Sequence, residues 1–477
     1  MATGTTTRNA WALRLFEWVD SRFPLSVLWK EHLSEYYAPR NFNFWYYFGS
    51  LSLLVLVLQI ITGIFLTMNY KPDATLAFAS VEYIMREVPW GWLIRYLHST
   101  GASAFFICVY LHMFRALLYG SYRKPRELVW LVGVLIFLSL MAETFFGYLL
   151  PWGQMSYWGA QVIVNLFGAI PFVGEDLAIW IRGDYVISDA TLNRFFALHV
   201  AALPLVLLGL VAVHILALHD EHVGSNNPDG IEIKENKDPV TGIPRDAIPF
   251  HPYYTVKDIF GAMVFLLVFS VIMFFAPEMG GYFLEHNNFI PADPLKTPPH
   301  IAPVWYFTPY YSVLRATTDE LKWVIGAAVA VFMLWAYLRY RRRTGGLVIF
   351  GFRLSLPTST GMVLLVIGAV LFQLLFVLEA KVWGVLLMGA SVVIFAFLPW
   401  LDRSPVKSIR YKGWMYKLAL SLFVIAFIVL GYLGMQVPTP TATRIAQVGT
   451  VVYFAFFLLM PWYTSIDKTE PPPERLT

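Results

Sequence analysis

The sequence predicts an all-α membrane protein with about ten transmembrane helices, the first four forming a bundle, plus interfacial helices. Three observations carry this. Of 477 residues, 58% are hydrophobic and only 14% are charged, whereas a soluble globular chain carries nearer a quarter charged residues. Ten apolar stretches are long enough, or nearly so, to cross a bilayer. They run about 43–69, 92–118, 128–150, 192–218, 258–276, 321–338, 361–378, 383–400, 415–435 and 446–463. Lys and Arg gather after the even-numbered stretches, in RALLYGSYRKPRE, IEIKENKDPVTGIPRD, RYRRR and DRSPVKSIRYKG. Loops of that kind stay cytoplasmic, so both termini are expected inside.

Taken in order, residues 1–42 form an N-terminal interfacial segment. Its stretch WALRLFEWVDSRFPLSVLW mixes aromatics and charges, as a helix lying in the interface does. No charged n-region, apolar h-region and cleavage site precede it, so no removable signal peptide is expected. Residues 43–218 are the four-helix bundle, 219–257 a cytoplasmic loop and 258–317 a fifth helix with an outer loop. Residues 318–380 hold an inserted helix pair, 381–465 a C-terminal three-helix part, and 466–477 a disordered tail. The outer loops 70–91, 151–190 and 277–320 are rich in Pro, Gly, Trp and Tyr, as interfacial structure is. A single cysteine, Cys108, excludes a disulfide framework and cysteine-ligated iron–sulfur clusters on this chain. The net charge of +4 is modest, and no nucleic-acid partner is expected.

The most specific signal lies inside the bundle. His98 and His112 stand 14 residues apart in the second stretch, and His199 and His214 stand 15 apart in the fourth. An ionisable side chain at membrane depth is a functional candidate by default. At about 100° per residue these spacings return to nearly the same helix face, roughly 21 Å along the axis. Two such helices face to face make two bis-imidazole levels, which suits two haems and an electron wire across the membrane. Core histidines bonded to nearby backbone would explain one such residue better than four paired by level. Zinc fits poorly, since a structural site gathers four ligands near one point, mostly Cys or His.

Glycines repeat the spacing: Gly49 and Gly63 in the first stretch, Gly133 and Gly147 in the third, each pair 14 apart. Glycine lets a flat macrocycle approach helix backbone, although small residues also serve ordinary helix packing. Chain direction sets the levels. His98, His199, Gly63 and Gly147 share the outer one, and His112, His214, Gly49 and Gly133 the inner one. Arg95 and Arg115 lie one turn beyond His98 and His112, where each could pair with a haem propionate or simply snorkel.

At this point the chain closely resembles cytochrome b of the respiratory cytochrome bc complex, complex III. The resemblance rests on NFWYYFGSLSLLVLVLQIITG, GYLLPWGQMSYWGAQVIVNLFGAIP, GSNNPDG, PFHPYYTVKDIFG and TPPHIAPVWYF. It implies the catalytic subunit of a quinol–cytochrome c reductase in a bacterial inner membrane. Two b haems are implied, ligated by His98 with His199 and by His112 with His214. The implied partners are a Rieske iron–sulfur protein, a c-type cytochrome subunit, membrane lipids and a second copy of the complex. The implied reaction is quinol oxidation at an outer site, electron passage through both haems, and quinone reduction at an inner site, with proton translocation.

The outer site is expected to involve Tyr148, Trp158, Gly159 and the 291–311 loop, whose Pro-rich backbone is tolerable if protein buries it. The family tetrapeptide normally has Glu second; here it reads Pro303-Val304-Trp305-Tyr306. Val304 cannot take a proton. Glu143, one turn before Gly147, is the nearby acid, and it either accepts the proton instead or bonds structurally to a neighbouring helix. Tyr306 and Tyr311 are weaker candidates, since loop aromatics usually pack. At the inner site the resemblance implies Asp258, with Lys257 beside it, and His219 and Ser225. Because LHDEHVGSNN is longer than the usual pattern, His222 is an alternative to His219. A His can donate to one quinone carbonyl while Asp relays the proton.

Two departures stand out. The His199–His214 spacing is one residue longer than in mitochondrial members, and ring geometry and helix tilt are expected to absorb it. The 318–380 insertion keeps the topology of the later helices and has no His; a packing or partner-binding role is the default. Two other readings remain: a di-haem anchor of a dehydrogenase or hydrogenase, and a transporter with midplane acids. The outer Trp-Tyr loop and the GSNN–KD pair argue against the first, and the histidine spacing against the second.

Overall fold

The computed structural model describes residues 6–220, 222–328, 331, 370, 373–374 and 377–476. Among them, eight helices are long and apolar enough to cross a membrane. They are α1 (Phe44–Thr67), α2 (Gly91–Tyr119), α3 (Glu127–Leu149), α4 (Asp189–His219), α5 (Phe250–Phe275), α6 (Ala380–Leu401), α7 (Trp414–Met435) and α8 (Pro440–Leu458). These match the first five and last three expected stretches. The expected sixth and seventh, 321–338 and 361–378, lie for the most part outside the described residues.

Local chemistry sets the helix ends. The Asn43 side chain accepts from the Trp45 amide at 3.2 Å, holding the turn that opens α1. Gly120 ends α2 in the left-handed region at φ +66°, where a Cβ would lie 2.5 Å from the Lys407 carbonyl oxygen. Only glycine suits both demands. In α4 the ladder widens to a π turn over Leu198–Ala202, closed by the Leu203 amide on the Leu198 carbonyl. Pro204 comes next and has no N–H to continue the normal ladder. A π turn inserts one residue with little rotation of the helix beyond it. This, rather than ring geometry and helix tilt, absorbs the extra residue between His199 and His214.

α1 packs along α2 and α3 along α4, with α5 against α1 and α2. Between the two histidine levels sits a dry plug of Leu56, Phe106, Leu140 and Leu207, each at most 4% exposed. The short helix Thr308–Ala316 packs on α6, α7 and α8 and joins them to the bundle. There the Trp130 indole donates to the Phe395 carbonyl at 2.7 Å and Tyr453 to the Ser391 carbonyl at 2.5 Å. A two-stranded antiparallel sheet, β1 (Tyr37–Pro39) on β2 (Ala247–Pro249), ties the N-terminal segment to the loop before α5.

The loops on the side of the bundle that carries the inner histidine level are held by buried charges. Asp229 accepts from Arg410 at 2.6 Å and from Asn41 at 2.8 Å, and Lys412 meets Asp402 at 2.6 Å with both side chains fully buried. The tail 466–477 is expected to be disordered, but its described residues, 466–476, are tied down. Arg475 donates to Asp246 at 2.7 Å, Arg40 donates to the Leu476 carbonyl at 2.8 Å, and Leu476 is 4% exposed.

Candidate functional site

The four histidines pair as their spacing predicts. The rings of His98 and His199 face each other with centroids 6.1 Å apart, and those of His112 and His214 lie 6.4 Å apart. Each of the four glycines abuts one of these rings. A Cβ at Gly49 would stand 3.2 Å from Cε1 of His112, and at Gly63 3.3 Å from that of His98. At Gly133 it would stand 3.3 Å from Cε1 of His214, and at Gly147 2.8 Å from Nδ1 of His199. The levels assigned from chain direction are therefore the levels the helices build.

The donor set suits an iron between two imidazoles. A metal bound at about 2.0 Å from each facing ring nitrogen separates ring centroids by roughly 6.3 Å, close to both observed values. At the outer level, Nδ1 of His98 lies 2.9 Å from the Thr62 hydroxyl, and Nδ1 of His199 lies 2.8 Å from the Glu143 carbonyl oxygen. An Nδ1–H donated there leaves the Nε2 lone pair free for a metal. At the inner level, Nδ1 of His112 and of His214 is buried with no hydrogen-bond partner among the described residues. No group of three or more His, Cys, Asp or Glu side chains placed to share a metal ion occurs among the described residues.

Arg95 is half-buried at the outer level. Arg115 is partly committed at the inner one: it donates to the Asn226 carbonyl at 3.1 Å, while its Nε is buried without a partner among the described residues.

On the outer side a cavity of about 110 Å³ opens between α3, the 279–305 loop and α7. Tyr148, Pro303, Val304 and Trp305 line it as expected; Met155, Gly281, Tyr282, Glu285, His300, Ala302 and Met435 line it as well. Pairing between the two outer segments shapes it. The Gln154 amide donates to the Ile290 carbonyl at 2.8 Å, Ala292 to Trp152 at 3.0 Å, and Ser156 to the Asn288 side chain at 2.9 Å. Trp305 is fixed by its indole N–H on the Ser103 hydroxyl at 3.0 Å. Gly159 lies beside Tyr148, where a Cβ would stand in ordinary contact with that ring at 3.8 Å.

Other expected residues fall outside the lining. Tyr306 is buried, stacked on Phe106 with centroids 3.9 Å apart, and its carbonyl accepts from Tyr110 at 2.5 Å. Tyr311 packs under the Arg315 guanidinium, and the Trp158 indole donates to the Asp293 carbonyl at 3.2 Å. Glu143 turns its carboxylate to Nδ1 of His199, 3.1 Å away, rather than into the cavity.

At the opposite end of the bundle, His219 stacks on Tyr36 with centroids 4.4 Å apart, and the Tyr36 hydroxyl meets the Ser225 hydroxyl at 3.0 Å. Tyr36 continues through Phe250 and Tyr254 to Tyr46. Asp258 accepts from Ser50 at 3.0 Å, and Lys257 lies over the Tyr254 ring. His222 is exposed, its amide bonded to Asp220. Tyr36 does not stand out in the sequence, because nothing local marks one aromatic among many. The asparagines of GSNN fold their own loop, Asn226 bonding the Tyr119 carbonyl and Asn227 the Ile231 carbonyl.

Comparison with known proteins agrees with this geometry. A family model described as Cytochrome b/b6/petB matches residues 33–222, and one described as Cytochrome b(C-terminal)/b6/petD matches 291–379 and 368–454. Cytochrome b of Allochromatium vinosum is 57% identical over 463 residues, covering 96% of this chain and 97% of that protein. Cytochrome b of Rickettsia bellii is 40% identical over the full length of both chains. A solved chain of a hyperthermophilic respiratory complex III superposes with a TM-score of 0.75 at 35% identity, covering 94% of this chain and 99% of its own. With both family models matched in order along one membrane-spanning chain, the protein belongs to the cytochrome b/b6 family, as a cytochrome b of the respiratory complex III type.

Proposed function

We propose that this chain is the redox subunit of a quinol:cytochrome c oxidoreductase, holding two b haems and working between two quinone sites. The observation that carries it is the registration of four glycines on four histidines at two levels. His98 with His199, and His112 with His214, would hold the haems, which when bound supply one-electron transfer between the levels. Membership in a cytochrome b family brings haem b with it.

The chain's residues divide the remaining work. Thr62 and the Glu143 carbonyl orient the outer imidazoles. The Glu143 carboxylate beside His199 Nδ1 makes Glu143 a positioning residue for that ligand. Leu56, Phe106, Leu140 and Leu207 exclude water between the levels. The outer cavity, walled by Tyr148, Pro303, Val304 and Trp305, binds quinol. Arg95 and Arg115 stand where haem carboxylates would need a cation.

On the opposite face, His219, stacked on Tyr36, whose hydroxyl meets Ser225, binds a quinone carbonyl, and Asp258 relays its proton. Quinol gives one electron to a Rieske protein and on to a c-type cytochrome; the other serves quinone reduction at the inner face. Oxidation outside and reduction inside move protons across a bacterial inner membrane, with both termini cytoplasmic. The division of the chain at 43–218, 219–257, 258–317 and 381–465 matches these roles.

The test is quinol-driven cytochrome c reduction by the purified complex, with and without an outer-site inhibitor. Inhibitor-sensitive turnover is expected. Intact haem bands with the Rieske partner present but no cytochrome c reduction would favour a di-haem anchor instead.

A further inference from the structure

We infer that Glu285 is the group that accepts a proton from quinol in the outer cavity; this rests on the reading of that cavity as the quinol site. Quinol loses two hydroxyl protons with its two electrons, and Val304 can take neither. A carboxylate and an imidazole line the same cavity: Glu285, and His300 of the TPPHIAPVWYF stretch. Each presents an unused polar atom. Oε2 of Glu285 and Nε2 of His300 are buried with no hydrogen-bond partner among the described residues. Buried polar atoms find partners, and here a ligand hydroxyl supplies them.

The backbone holds Glu285 in place for this role. Its Oε1 accepts from the Asn287 side chain at 3.1 Å, which fixes the carboxylate and leaves Oε2 free. Its carbonyl accepts from the Asn288 amide at 3.0 Å, and Asn288 is bonded to Ser156 on the helix after α3. Glu143 also has a buried Oε2 without a partner among the described residues, but it lies beside His199 and does not line the cavity. Burial raises the Glu285 carboxyl above its usual range, partly offset by the Asn287 amide and the neighbouring His286. The ionisable groups around it are His286, Tyr148, Tyr282 and His300. None is a permanent cation, so its acidity is set chiefly by burial.

The step balances. One quinol O–H bond breaks with its proton going to Oε2, and the other proton leaves towards the iron–sulfur protein that takes the first electron. One electron leaves to the iron–sulfur protein and one to the outer b haem, and quinone remains.

The experiment compares E285Q, E285D and the double variant E285Q/V304E in the whole complex. It reads quinol-driven cytochrome c reduction against pH, quinol KM and the haem spectrum. General-base catalysis contributes about 10²–10⁴-fold, so E285Q is expected to lose at least about tenfold in kcat. Its KM should stay near that of the parent and both haems should be retained. The parent profile should rise with pH through the carboxyl titration, and E285Q should lose that limb. E285D should displace the limb, and V304E should restore turnover to E285Q by returning a carboxylate to the same cavity. Unchanged kcat and pH profile in E285Q overturn the assignment while leaving the quinol site standing. If E285Q does not assemble, an unmoved limb in E285D overturns it equally. Absence of inhibitor-sensitive turnover in the parent would fail the underlying reading instead.

Discussion

Replacing the four bundle glycines by alanine tests the haem geometry with graded severity. At Gly49, Gly63 and Gly133 the new Cβ would stand 3.2, 3.3 and 3.3 Å from the facing imidazole carbon, a few tenths of an ångström too close. At Gly147 it would stand 2.8 and 2.9 Å from Nδ1 and Nε2 of His199, a true overlap with a ligand ring. Overpacking a tight core costs about 1–3 kcal/mol. At about 1.4 kcal/mol per decade, that is roughly 5-fold for the mild sites and more than 100-fold for Gly147. The expected result is loss of the outer haem alone in Gly147→Ala, and retention of both haems with shifted potentials in the other three. Reduced-minus-oxidised spectra with haem content per chain read this directly. Retention of an unshifted outer haem in Gly147→Ala, or equal haem loss at Gly133→Ala, would refute the reasoning.

The same contacts predict other outcomes. Glu143→Ala should keep both haems and shift the outer haem midpoint, because it removes the carboxyl group that lies 3.1 Å from Nδ1 of His199; an unmoved midpoint in a redox titration would contradict its positioning role. His219→Asn should slow quinone-driven reoxidation of the inner haem several-fold, whereas His222→Asn should not; equal effects would break the inner-site assignment. Asp246 is held below the usual carboxylate range, chiefly by Arg475. A depressed carboxyl stabilises above its unfolded pKa and loses that stabilisation as pH falls through its folded value. Carboxypeptidase should therefore spare the tail at neutral pH and attack it in acid or in Arg475→Ala; equal attack at neutral pH in both proteins would show the pair to be idle.

Much of this is legible in the sequence because the informative features are periodic and local. Apolar runs must be long to span a bilayer, and side chains 14 residues apart on a helix share a face, so the histidines and glycines announce their levels. The π turn is less visible, since a change in backbone ladder alters no residue. Its traces are the spacing of 15 and Pro204 just after His199. Glu285 and His300 lie in an irregular loop whose position depends on pairing with the 152–156 segment, and no periodicity exposes that. The tail reads as disordered from its prolines, yet Arg475 and Leu476 find a buried acid and an apolar recess. A short sequence window cannot show either.

The most direct test of the account is a potentiometric titration of the purified complex, followed optically in the b-haem region. Two components of separate midpoint potential are predicted, the outer one lost in His199→Leu and the inner one in His214→Leu. A single component, or loss of both with either substitution in an otherwise folded complex, would contradict two independent bis-histidine sites.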